Sequence, residues 1–260
     1  MIHKVVLGDA KEFVPTLDDW CADVVFLDPP YTLRKDTGSI TRPEGGSYDG
    51  VTEGWDTRFD TREEHLDFIE WYLLQAQRLV CKEGTVWVMG MHHNIHDVGS
   101  VMLDLGYFIL NDVVWVKTNP APQFRGVRFT NSVEFLIWAQ PHGKGKKYFD
   151  YHGLKELNGG KQMRADWKLP VCRGRERVKG PDGKKLHSTQ KPLALLERVV
   201  LSSVPEDGLI VDFMAGVGTT GVAAAALGRS AILVEQVPEY VDAICDRYDA
   251  LGIELYVEEL

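Results

Sequence analysis

The residues most suited to chemistry are Asp28-Pro29-Pro30-Tyr31. They follow directly on the apolar run Ala22–Leu27, which reads as a buried strand. Proline fixes φ and removes a backbone donor, so two in succession make a rigid turn. Such a turn can hold a carboxylate, a backbone carbonyl and an aromatic ring in one fixed relation. A second group lies far along the chain, where residues 216–221 read Gly-Val-Gly-Thr-Thr-Gly. It follows a predicted strand and opens a predicted helix. An acid, Glu235, ends the next strand about 20 residues on. Glycines there let a ligand approach the backbone closely, and the distal acid can accept hydrogen bonds from ribose hydroxyls. The pattern suits NAD or another adenosine compound. A third group, His92, His93 and His96, could ligate a metal, but it reads as a loop and helix start beside a strand.

The elements that must position these groups are legible. Thr61 and Glu64 form a T-x-x-E capping box, and Leu66, Ile69, Leu73 and Leu74 continue the helix. Segments 85–89, 109–116, 133–139, 209–213 and 231–235 read as strands. Segments 94–105, 191–203, 219–227 and 238–251 read as helices. Residues 32–60, rich in Gly, Thr, Asp, Arg and Pro, read as a long loop, and residues 141–190 show no strong periodicity. Strands alternating with helices argue for a parallel α/β sheet covered on both faces. In open sheets of this kind ligands bind beyond the carboxyl ends of the strands, so both turns should face one crevice. Trp115 and Trp138 fall in strands and are expected in the core, and Ala223 to Ala226 gives a smooth helix face for close packing.

Composition narrows the class. The chain has 260 residues, 44% hydrophobic and 26% charged, as in ordinary globular proteins. Cys21, Cys81, Cys172 and Cys245 are too scattered for a zinc pattern or a disulfide framework, which suggests a reducing compartment. No apolar run is long enough to span a bilayer and no signal peptide is visible, so a cytoplasmic location is expected. The net charge of −9 argues against nucleic acid at first sight. Its distribution argues the reverse. Residues 117–191 hold 17 Lys and Arg against six Asp and Glu, a net of +11, while the remainder carries −20. A basic segment joined to a catalytic turn suits phosphate tracking.

The two turns together resemble the signature pair of the S-adenosylmethionine-dependent amino-methyltransferases of DNA. Asp212-Phe213-Met214-Ala215-Gly216-Val217-Gly218-Thr219-Thr220 is similar to that family's cofactor motif, with Phe213 and Met214 in place of its usual Pro and Phe. The catalytic motif precedes it, the circularly permuted order of the beta group. His187-Ser188-Thr189-Gln190-Lys191-Pro192 resembles the element preceding the cofactor motif there, and Gly8-Asp9-Ala10 resembles the element that touches the adenine. Segments 109–120, 124–129 (Phe-Arg-Gly-Val-Arg-Phe) and 162–167 are similar to the cell-cycle-regulated and HinfI-type adenine methyltransferases.

This resemblance implies a Rossmann-like, doubly wound, mostly parallel seven-stranded sheet. Residues 1–140 and 187–260 would form the catalytic domain and residues 141–186 an inserted target-recognition region. It implies transfer of a methyl group to the N6 amino group of a flipped-out adenine in double-stranded DNA. Asp28, Pro29, Pro30 and Tyr31 would be catalytic: Asp28 and the Pro29 carbonyl would accept the amino hydrogens, and Tyr31 would stack on the base. Glu235 would hold the ribose, Asp212 and residues 213–220 the methionine end, Asp9 and Ala10 the adenine, and Lys191 the ribose or carboxylate. Apart from the resemblance, Arg125, Arg128, Gln162, Arg164, Arg173 and Arg175 of the basic segment can read base edges or phosphates. No metal is implied. A homodimer and a cognate restriction endonuclease are partners the resemblance leaves open, as it does a cytosine-N4 reaction. Asp28 favours adenine, because N4 enzymes generally carry Ser at that position. An NAD-dependent oxidoreductase, or a silent DNA-binding module, is the rival from another class.

Overall fold

The computed structural model describes residues 1–31, 40–41, 47–48, 59–123 and 125–260. The loop expected over residues 32–60 falls largely outside these. Of it the structure describes a two-stranded antiparallel ribbon, β3 (Ile40–Thr41) and β4 (Ser47–Tyr48).

The main sheet contains β1 (His3–Leu7), β2 (Ala22–Leu27), β5 (Val80–Gly90), β6 (Phe108–Lys117), β7 (Val133–Gln140), β8 (Asp166–Leu169), β9 (Leu209–Asp212), β10 (Ser230–Glu235) and β11 (Tyr256–Glu259). Their order is β11-β1-β10-β9-β2-β5-β7-β6-β8. All pairings are parallel except those of β7 with β5 and with β6. The sheet thus has nine strands, against the seven expected. The two edge strands, β8 and β11, account for the difference. They read Asp-Trp-Lys-Leu and Tyr-Val-Glu-Glu, mixtures of polar and apolar residues too short to give a strand signal.

Alternation along the strands sorts the side chains into two layers. On β2, Val25 and Leu27 face one side and Val24 and Phe26 the other; on β5, Val86 and Val88 oppose Trp87 and Met89. The first side is covered by α1 (Ala10–Phe13), α2 (Arg62–Leu79) and α3 (Ile95–Asp104), through Phe13, Phe68, Ile69, Tyr72, Leu73, Val98 and Met102. The second is covered by α5 (Leu193–Ser203), α6 (Thr219–Ala226) and α7 (Pro238–Leu251), through Leu195, Leu196, Val199, Ala223, Ala224, Val241 and Ile244. Strands buried on both faces read as near-continuous Val, Ile and Leu, as these do. Trp87 stacks on Trp138 at 5.3 Å and donates its indole N–H to Ser203 Oγ at 3.0 Å, tying the sheet to α5. The core places expected for Trp115 and Trp138 are observed.

The helix at residues 62–79 begins as its sequence dictates. Thr61 Oγ1 accepts from the Glu64 N–H at 3.1 Å, and Glu64 reaches back to the Asp60 N–H at 3.0 Å. Segment 141–186 supplies β8 to the same sheet. It also supplies a short helix, α4 (Tyr151–Leu157), which buries Leu154 and lies against α5. Among the described residues no helix is long and apolar enough to cross a membrane.

Candidate active site

The chain direction sets the site. Asp28 directly follows β2, Asp212 ends its parallel neighbour β9, and Glu235 ends β10. Three carboxylates therefore gather at the C-terminal edge of the sheet, where helices wind to opposite faces and a crevice opens. A cleft open at its mouth occupies this place. It is lined by Asp9, Ala10, Asp28, Pro29, Pro30, Tyr31, Lys191, residues 212–216, Thr219, Thr220 and Glu235. Every expected catalytic and cofactor residue lines it except Gly218.

Gly218 acts one step back. It caps α6 with a left-handed φ of 71°, and a Cβ there would come 2.7 Å from Ile244 Cγ1. Gly216 has φ 53°, and its Cβ would meet His187 Nε2 at 3.1 Å. Gly221 lets α6 settle on β10, since a Cβ would lie 2.6 Å from Leu233 Cδ1. Side chains at the first two positions would be strained as well as crowded.

The acids of the turn are held by backbone and hydroxyl donors. Asp212 accepts from Thr220 Oγ1 at 2.6 Å and from the Met214 N–H at 3.0 Å. Glu235 accepts from the Gly216 N–H at 2.8 Å and the Val237 N–H at 2.9 Å. Burial pushes both carboxyls up, each to about 7, against the pull of these hydrogen bonds. The cradle of left-handed glycines, with an acid at its rim, fits an adenosine-type ligand. Phe68, Trp71, His187 and Tyr240 add aromatic surface to the same cleft. Asp9 caps α1 by accepting the Lys11 N–H at 2.8 Å, which fixes it at the mouth.

The Asp-Pro-Pro-Tyr turn is wired into a network that sequence reasoning missed. Lys191 Nζ lies 2.5 Å from Asp28 Oδ2, so the structure places this ammonium on the expected catalytic carboxylate. Tyr31 donates its hydroxyl to Asp28 Oδ1 at 2.8 Å and also lies 3.2 Å from Glu134 Oε2. Glu134 in turn pairs with Lys117 Nζ at 2.6 Å and stands 4.0 Å from Lys191. The Tyr31 ring is buried, with Lys191 Nζ 5.1 Å from its centroid, and burial together with the two carboxylates drives its pKa well up. Its hydroxyl therefore stays protonated and can hold Asp28 in place. One signal for Glu134 was available: it is the lone acid in the apolar strand Val133–Gln140. A buried acid in such a strand needs a partner.

The element before α5 is held by its own polar groups. Gln190 accepts from the Val178 N–H at 2.9 Å and donates to the Glu176 carbonyl at 2.9 Å. Arg177 donates to the Cys172 carbonyl at 2.7 Å and the His187 carbonyl at 3.1 Å. The Glu176 carboxylate accepts the Leu193 N–H at the start of α5, where a negative charge is favoured. These bonds hold segment 172–190 against the cleft and present Lys191 to Asp28.

Arg125, Arg128, Gln162, Arg164, Arg173 and Arg175 are all exposed, and none lines the cleft. Arg164 pairs with Asp166 at 2.8 Å, and Arg173 donates to the Asn119 carbonyl at 3.0 Å. The rings of His92 and His93 lie 3.9 Å apart, and Asn94 Oδ1 accepts the Met91 N–H before α3. Among the described residues no group of three or more His, Cys, Asp or Glu is gathered to hold a metal.

Comparison with known proteins bears on this arrangement. The N6/N4 methyltransferase family, described as DNA methylase, matches residues 22–246. The chain is 40% identical over 241 residues to the Type II methyltransferase M.HinfI of Haemophilus influenzae, covering 93% of this chain and 67% of that protein. It is 38% identical over 246 residues to the Type II methyltransferase M2.MboI of Moraxella bovis, covering 94% and 87%. Among solved structures, the complex of M1.HpyAVI with S-adenosylmethionine superposes with a TM-score of 0.66 at 21% identity, covering 95% of this chain and 99% of the other. The cytosine-N4-specific PvuII DNA methyltransferase superposes with a TM-score of 0.70 at 19% identity, covering 98% and 95%. At these identities the superpositions speak to fold, and they agree with the Rossmann-like architecture.

Proposed function

Because this chain belongs to the N6/N4 DNA methylase family, we propose that it transfers the methyl group of S-adenosylmethionine to the N6 amino group of an adenine flipped out of double-stranded DNA. Asp28 carries the reading. It is a carboxylate at the end of β2, fixed by Tyr31 and Lys191, in one cleft with the glycine turn and Glu235.

An exocyclic amino group is a weak nucleophile, since its lone pair is delocalised into the ring. Asp28 and the Pro29 carbonyl accept its two hydrogens and draw the nitrogen toward a pyramidal geometry. Asp28 then takes the proton that the nitrogen gives up. S-adenosylmethionine, when bound, supplies a methyl group on a sulfonium that is its own leaving group, so no covalent enzyme intermediate is needed. Glu235 holds the ribose hydroxyls, Asp9 and Ala10 meet the adenine, and the turn at Asp212 to Thr220 cradles the methionine end. What remains is alignment of the reacting atoms, which is where a rigid Pro-Pro turn contributes. A cytosine-N4 reaction would use the same geometry, and the fold is shared with an N4 enzyme. Asp28, in place of the Ser general among N4 enzymes, supports adenine. An oxidoreductase reading leaves Asp28, Lys191 and the basic segment without roles.

Thermal shift separates the two cofactor classes: S-adenosylmethionine should raise the melting temperature and NAD should leave it unchanged, and the reverse would sink the reading. Sequencing of host DNA after expression in a methylation-free strain should then find N6-methyladenine at one recurrent sequence.

The Tyr31 hydroxyl is expected to act on the methyl-transfer step. Tyr31→Phe should lower kcat about tenfold, the scale of a hydrogen bond to a charged group, and leave cofactor binding unchanged. Glu134→Gln should lower kcat as well, and the double variant should fall little further, because both act through one bond. Additive losses in steady-state kinetics would show that the two side chains act separately.

The exposed Arg173 and Arg175 belong to a surface that tracks phosphate. Replacing both by Ala should weaken DNA binding and reduce the slope of log K against log salt by up to about 1.8. An unchanged slope in a fluorescence-anisotropy titration would mean that this segment faces away from the DNA.

A further inference from the structure

The loop between β6 and β7 carries an aromatic ring with no structural role in the fold. Phe129 is 95% exposed, the most exposed large apolar side chain among the described residues, and Val127 is 75% exposed. Single exposed apolar residues are ordinary on protein surfaces. This one differs in its place and its company.

The place follows from topology. β7 is antiparallel to both β5 and β6, so β6 runs in the direction of β5 and of β2. The connection from Thr118 to Ser132 therefore leaves the same edge of the sheet as Asp28. Lys117, which ends β6, and Glu134, the second residue of β7, stand at its base as the ion pair that reaches Tyr31. The root is firm: Lys117 N–H donates to the Ser132 carbonyl at 2.8 Å, Thr118 N–H to the Leu169 carbonyl at 3.1 Å, and Val171 N–H to Asn119 Oδ1 at 2.9 Å.

The company is cationic. Arg125 and Arg128 flank Val127, Arg128 directly precedes Phe129, and both arginines are exposed. An apolar side chain set among arginines is the arrangement with which proteins enter a base stack while holding the adjoining phosphates.

We propose that Phe129 enters the DNA base stack and occupies the space vacated when the target base turns into the cleft. The inference rests on the DNA-methylating reading above. Extrusion of a paired base costs unstacking and unpairing energy, and least where the base has no partner. A ring that fills the gap recovers part of that cost. The benefit is therefore confined to substrates whose target base is paired and stacked.

The test uses the full-length protein and two duplexes carrying the methylated sequence mapped in host DNA. In one the target adenine is paired, and in the other it stands opposite an abasic site. Phe129→Ala should lose about tenfold to a hundredfold in methylation rate on the paired duplex, the scale of one base–aromatic stack. On the abasic duplex it should stay within about threefold of the parent, because little unpairing cost remains. Phe129→Trp should stay near the parent on both. With 2-aminopurine at the target position, fluorescence on binding should rise for the parent and much less for Phe129→Ala. Equal losses on the two duplexes, or no loss on the paired one, would overturn the proposal. A parent protein that methylates neither duplex would overturn the DNA-methylating reading itself, and that outcome is seen before any variant is made.

Discussion

Asp28→Ala is expected to lower methyl transfer by about a thousandfold or more, the range set by a lost general base together with misalignment. The affinity for S-adenosylmethionine should change little. The separation follows from the fold. Asp28 directly follows β2, whereas the glycine turn and Glu235 are carried by β9, α6 and β10. The truncation also strips Lys191 of its 2.5 Å partner inside the cleft, leaving the Thr189 carbonyl at 3.3 Å and Glu134 at 4.0 Å. An ammonium left without its carboxylate can cost several kcal/mol. Asp28→Asn keeps the shape and removes the charge, so it separates loss of the acceptor from loss of the ion pair. Isothermal titration with the cofactor and a radiolabelled-methyl assay on the same preparations read both quantities. Near-normal turnover in either variant would remove Asp28 from the chemistry.

Glu235→Ala should raise the dissociation constant for S-adenosylmethionine by about tenfold to a hundredfold, as expected for hydrogen bonds made to a charged group. Two effects add. The ribose would lose the acceptor proposed for it, and the Gly216 and Val237 N–H groups lose the carboxylate they donate to. A pH dependence accompanies this. Burial raises the Glu235 carboxyl to about 7. The ribose contact proposed for Glu235 needs its ionised form, so affinity should be full well above pH 7 and decline as pH falls through that value. Through linkage the same raised pKa favours the protonated folded state at lower pH. The ligand-free chain therefore gains stability from this group as pH falls from about 7 toward the ordinary carboxyl range, while cofactor affinity declines. Titrations across this range should show the decline in the parent, and a flatter profile in Glu235→Gln. Identical profiles would place the titrating group elsewhere.

Much of this site was legible in the sequence because its parts are local. A buried strand followed by Asp-Pro-Pro-Tyr, and a strand followed by Gly-x-Gly-x-x-Gly, each specify both an element and the direction in which its polar residues point. Glu235 was legible because one strand-to-helix unit separates it from the glycines. The network behind Asp28 was not, because it joins residues far apart in the chain: Tyr31 with Glu134, and Asp28 with Lys191. The Gln190-Lys191-Pro192 element looked like part of the cofactor half. Hydrogen bonds of Gln190 and Arg177 hold it where Lys191 lines the same cleft and also pairs with Asp28. The edge strands were hidden for a different reason. β8 and β11 have one neighbour each; β8 buries only Trp167 and Leu169 and β11 is largely exposed, so neither needs an apolar run. α4 carries Gly153 in its middle and gave no clear helical period, yet Asp150 caps it by accepting the Gly153 N–H at 2.8 Å. The charge of the basic segment reads differently in place. Arg164, Arg173 and Arg177 each have a partner within the chain. The residual attraction to phosphate therefore rests on fewer side chains than the count of 17 suggests.

The most direct measurement is nucleoside mass spectrometry on unmethylated DNA after incubation with S-adenosylmethionine and the purified protein, or its Asp28→Ala variant. The account requires N6-methyladenine with the parent and none with the variant. N4-methylcytosine with the parent, or N6-methyladenine formed equally by both, would contradict it.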